Sequence, residues 1–206
     1  EIHCGLVGSE MCIRDREFIY SDLKHFSILE DETFFDNAIL IDSTSKRYSL
    51  CGARIGFIVS KNSKFIETCM KFALARLSPP TVALIAANNA LKSDNKYIDN
   101  VIKEYGHRRE ILISELSKIN DIEFSNPMGA FYSIIKLPVK NAEEFAKFLL
   151  TDFSINNESV MLAPAAGFYS STDNGKDEVR IAFVLNSEKI KRAINIIYFG
   201  LKEYIG

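Results

Sequence analysis

The sequence predicts an α/β protein in which short buried strands give way to helices and then to a small mixed lobe. Three observations carry this. Two apolar runs, residues 38–43 and 55–59, are too short for helices. A central stretch, residues 64–119, keeps apolar side chains at helical spacing, and strand-like and helix-like segments alternate beyond Asn120. At 206 residues the chain can bury a core as one domain or two small ones.

Each apolar run suits a strand buried on both faces. Residues 44–54 between them show no helical periodicity and include Gly52. A parallel crossover needs about a dozen residues or more and usually a helix, so antiparallel pairing is expected. That pairing puts the end of the first strand beside the start of the second. Ser43, Ser45 and Lys46 then share a sheet edge with Arg54.

Residues 64–77 read as a helix with Phe65, Ile66, Cys69, Phe72, Ala73 and Leu77 on one face, stopped by Ser78-Pro79-Pro80. Residues 81–91 form a small-residue helix (Ala83, Ala86, Ala87, Ala90) suited to close packing or a subunit interface. Residues 94–119 read as a long helix with Asp94 as its N-cap and Gly106 as a weak point, bridging two lobes. At ~1.5 Å per residue it would reach roughly 35–40 Å. Strands are expected at 121–124, 130–135, 159–162 and 178–183, with a helix at 142–152 and a loop at 167–175. A last helix runs to Tyr204, capped by Ser187.

Composition narrows the function classes. The 47% hydrophobic and 25% charged content is ordinary for a globular protein. A net charge of −2 and a pI near 6.0 argue against a nucleic-acid partner. No apolar run approaches the ~20 residues that span a bilayer, so no membrane association is expected. Cys4, Cys12, Cys51 and Cys69 form no C-x-x-C pair and suggest a reducing, cytoplasmic compartment, with Cys51 read as a packed thiol. His3, His25 and His107 lack metal-ligand spacing, so no metal is expected.

Chemistry concentrates in Ser43-Thr44-Ser45-Lys46-Arg47-Tyr48-Ser49-Leu50-Cys51-Gly52-Ala53-Arg54-Ile55-Gly56. Lys46 offers an amine able to form an imine, Ser43 and Ser45 offer hydroxyls, and Arg54 offers a rigid fork for two phosphate oxygens. A free lysine, with a reference pKa of about 10.4, is protonated and a poor nucleophile. Burial and neighbouring cations such as Arg47 or Arg54 would favour its neutral form. An imine-forming lysine beside an arginine-held phosphate is the attachment chemistry of pyridoxal phosphate. Taken singly, Lys46 and Arg54 read as surface residues of a polar hairpin.

The run resembles the attachment site of class I, aspartate aminotransferase-like, fold-type I enzymes. The resemblance implies pyridoxal 5′-phosphate as cofactor, held by Ser43, Ser45, Lys46 and Arg54. It implies amino-group transfer from an amino acid to a 2-oxo acid, with Lys46 as the imine-forming catalytic residue, in a homodimer. Gly129-Ala130-Phe131-Tyr132, Ala163-Pro164-Ala165-Ala166-Gly167-Phe168 and Val179-Arg180-Ile181 follow one another as the family's C-terminal motifs do. In that pattern Arg180 holds the substrate carboxylate. From strand alternation alone, Arg180 would face solvent or pair with Glu178 or Asp177. Lyases and decarboxylases of the same fold are alternatives, as is the ligand-sensing module of a transcription regulator.

The resemblance also orders the chain. Residues 17–93 read as part of the cofactor-binding large domain, 94–119 as an interdomain helix, and 120–206 as a small α+β C-terminal domain. Residues 1–16 show no period and read as a non-native leader, since Gly8–Arg16 looks like translated adaptor sequence. The family draws an aspartate for the ring nitrogen and an aromatic stacking partner from a part upstream of these segments. Asp22, Asp31 and Asp36 read as loop or cap residues instead. The chain is therefore expected to be a C-terminal portion that binds the cofactor weakly or not at all alone.

Overall fold

The computed structural model describes residues 17–22, 25–171 and 173–206. The leader, with Cys4, Cys12 and His3, lies outside the described residues. The chain forms two compact units, and the division between Ile102 and Lys103 falls inside a helix.

In the first unit, strands β1 (Leu40–Ser43) and β2 (Gly56–Val59) pair antiparallel, with Leu40 opposite Val59 and Ser43 opposite Gly56. A β-carbon at Gly56 would stand 3.1 Å from the Asp42 carbonyl, which explains the glycine there. The link between the strands is more regular than expected. It holds a four-residue helical turn, α1 (Thr44–Arg47), and a 3-10 turn at Cys51–Ala53. The strands are not buried on both faces: Ile41 is 54% exposed and Ile58 48%. Among the described residues no further strand joins this sheet, and a two-stranded ribbon buries little surface by itself.

Helix α2 (Ser63–Arg76) starts where the Asn62 side chain accepts from the Phe65 amide at 3.0 Å. Its first turn is partly covered through Phe65 and Ile66, whereas Phe72 and Leu77, expected on the packed face, are 70% and 79% exposed. Helix α3 (Thr81–Lys92) turns Ala83, Ala86, Ala87 and Ala90 inward, and it packs on the Cys51–Ala53 turn. Small side chains permit that close approach. The long helix α4 (Lys96–Leu116) begins two residues after Asp94, because the Asn95 carbonyl takes the first helical bond, from the Asp99 amide at 2.9 Å. It runs through Gly106 without interruption.

The second unit holds a four-stranded antiparallel sheet ordered β3 (Glu123–Phe124), β4 (Tyr132–Lys136), β6 (Glu178–Ala182), β5 (Ala163–Pro164). Residues 159–162 are not a strand: pairing on that side is confined to Ala163 and Pro164. Proline donates no ladder bond, which fits its place at the sheet edge. Helix α5 (Ala142–Thr151) is capped by Asn141, and α6 (Ser187–Ile205) by Asn186 rather than Ser187. Ile135, Phe145, Leu149, Val179, Phe183 and Ile197 are almost fully buried and form the core. Gly200 lets α6 approach α5, since a β-carbon there would fall 2.5 Å from Leu149 Cδ2.

Candidate active site

The candidate site of the first unit begins at the end of β1. Ser43 leaves the strand and caps α1, its Oγ accepting from the Ser45 amide at 3.1 Å. The same oxygen lies 2.8 Å from Ser45 Oγ and 3.2 Å from the Ile55 carbonyl. Thr44 is buried, and both its amide and its Oγ1 donate to that carbonyl at 3.3 Å. The helical turn is thus stitched to the residue immediately after Arg54. Register and hydrogen bonding, not sequence proximity, join the two halves of the motif.

Arg54 adopts the left-handed region at φ 57°, ψ 41°, and Ser49, in the same loop, has φ 53°. Such backbone costs about 1–2 kcal/mol for a side chain-bearing residue and tends to persist where function requires it. The Arg54 guanidinium donates from Nη1 to the Cys51 carbonyl at 3.1 Å and is otherwise exposed. A surface cavity of ≈ 410 Å³ is walled by Asp42, Ser43, Ser45, Lys46, Cys51 and Arg54 among others. All four expected cofactor residues therefore border one space.

Three expectations change. Lys46 is exposed rather than buried. Arg47 does not join the cavity wall; it pairs with Glu17 and lies 3.9 Å from Asp42, with its side chain 12% exposed. Cys51 is an exposed free thiol on the cavity wall, not a packed one. Asp42 was invisible to motif reasoning. Its carboxylate accepts from the Ser43 amide at 2.7 Å and is partly balanced by Arg47.

In the second unit Arg180 sits mid-strand in β6, opposite Ile134 of β4 and Ala163 of β5. Its guanidinium lies 4.6 Å from the Phe168 ring centroid and 5.4 Å from that of Tyr132. A guanidinium held over rings by cation–π attraction spends none of its N–H groups on that contact. It does not pair with Glu178 or Asp177. Glu178 instead accepts from the Tyr169 hydroxyl, and burial with that contact pushes the phenol up to about 12.

The family model described as "Aminotransferase class I and II" matches residues 16–197. The chain belongs to this family. Its members depend on pyridoxal phosphate. An aspartate aminotransferase of Pyrococcus horikoshii is 30% identical over 189 residues, covering 90% of this chain and 46% of the relative. A (5-formylfuran-3-yl)methyl phosphate transaminase of Methanocaldococcus jannaschii is 32% identical over 199 residues, covering 96% of this chain and 47% of that protein. The solved aromatic aminotransferase of Pyrococcus horikoshii matches with a TM-score of 0.81 at 27% identity, over 93% of this chain and 50% of that one. The chain thus spans about half the length of the curated relatives it matches. No described helix is long and apolar enough to cross a membrane.

Proposed function

We propose that this chain is the C-terminal portion of an aminotransferase that moves an amino group from an amino acid to a 2-oxo acid. The observation that carries the reading is the single cavity bordered by Lys46, Arg54, Ser43 and Ser45. The donor set suits pyridoxal phosphate: a guanidinium and two hydroxyls for the phosphate ester, and an amine for the carbonyl. When bound, that group supplies a carbonyl that captures amines and a ring that stores electrons from a broken C–H bond.

Arg54 would grip two phosphate oxygens, with the left-handed backbone setting the direction of its fork. Lys46 Nζ would hold the cofactor between turnovers, then take the substrate α-proton and return it as general base and acid. Arg180 would bind the substrate carboxylate and so orient the breaking C–H bond, a positioning effect worth several kcal/mol of barrier. The homodimer and the cytoplasmic location belong to the same reading.

The test uses enzyme of full family length. Lys46→Ala should abolish borohydride-fixable cofactor and lower turnover by several orders of magnitude, while Arg180→Leu should chiefly raise the KM for amino acids. Retention of a reducible adduct in the Lys46 variant would remove that residue from the role.

A further inference from the structure

Glu178 and Arg180 are two residues apart on one strand, so their side chains project from the same face of the sheet. At that spacing two long side chains of opposite charge are within reach of one another. They form no ion pair. Glu178 accepts from the Tyr169 hydroxyl, and among the described residues Arg180 makes no ion pair and no side-chain hydrogen bond. Lys136, opposite Glu178 on β4, is engaged elsewhere: it donates to Glu123 at 2.9 Å.

The position of Tyr169 is itself enforced. Gly175, with φ +71°, packs against its ring so closely that a β-carbon would fall 2.4 Å from Cε2. The loop therefore delivers the phenol to Glu178 from one side, while Phe168, the preceding residue, lies against the guanidinium of Arg180. Two adjacent aromatic residues act on two strand residues of opposite charge.

We propose that Tyr169 is a positioning residue that holds the Glu178 carboxylate away from Arg180, keeping the guanidinium open to an external carboxylate. This rests on the reading of Arg180 as the substrate-carboxylate residue. Without the hydroxyl, Glu178 is released to pair with Arg180, the cation two residues along its own strand, and competes with substrate as an internal anion. The effect is on binding, because neither Tyr169 nor Glu178 touches the reacting atoms.

The experiment follows the Arg180 Nε–H resonance of the enzyme of full family length by NMR, first without ligand and then during titration with L-aspartate. Wild type, Tyr169→Phe, Glu178→Gln and the double variant are compared. In Tyr169→Phe the free-state resonance should shift, and L-aspartate should bind about fivefold more weakly, as suits a part-exposed ion pair. The double variant should restore both readouts, and Glu178→Gln alone should bind like wild type. An unchanged free-state resonance in Tyr169→Phe would overturn the proposal, as would a double variant that stays weak. Failure of wild type to bind L-aspartate, with the free-state shift present, would instead sink the carboxylate role of Arg180.

Discussion

At the scale of single residues, the motif around Lys46 was legible because its chemistry is written in residue type: an amine, hydroxyls and a guanidinium at fixed spacing. The state of those groups was not legible. Exposure of Lys46 and Cys51, and diversion of Arg47 to Glu17 and Asp42, depend on what packs against them, which no local pattern encodes. The Tyr169–Glu178 contact escaped for the same reason: nine positions apart, it matches neither a helical nor a strand period. It has a measurable signature. Because the folded phenol loses its proton only near pH 12, against a reference near 10, the folded state holds a proton that the unfolded state has released between those values. Its contribution to stability is therefore complete below about pH 10 and disappears as pH rises toward 12. Chemical denaturation across that window should show a steeper alkaline loss for wild type than for Tyr169→Phe. Parallel curves would mean that the phenol is not held.

At the scale of elements, periodicity located the helices, and the loop length between β1 and β2 gave their antiparallel sense. Boundaries drifted where a neighbouring asparagine served better than the residue chosen. Asn186 caps α6 through its side chain, accepting from the Lys189 amide at 3.0 Å, and the Asn95 carbonyl starts α4. An Asn156-Asn157 pair, both left-handed, closes a tight turn between Ile155 and Glu158, which helical and strand periods do not mark. The contact of α5 with α6 yields a stability prediction. Gly200→Val places methyl groups where Leu149 and Phe153 already sit, so it should destabilise the second unit by about 1–3 kcal/mol in urea melts. A stability equal to wild type would show that the helices part easily.

At the scale of the whole molecule, the two units are unequally finished. The second buries a continuous set of large side chains, including Phe145, Phe183, Leu112 and Ile197. The first keeps Phe72, Leu77, Val82 and Ile85 more than half exposed, in a chain that spans about half of its relatives. Amide hydrogen exchange should therefore find α2 and α3 opening well before α5 and α6, with protection factors lower by at least about tenfold. Equal protection would indicate that the first unit is self-sufficient. The paired strands β1 and β2 carry a further consequence for handling the protein. Each has one hydrogen-bonding flank with no strand beside it among the described residues, and such a flank recruits any extended peptide that drifts past. Concentrated samples should thicken into fibrous precipitate by strand accretion, and Ile58→Lys, a charge set on that rim, should keep them clear.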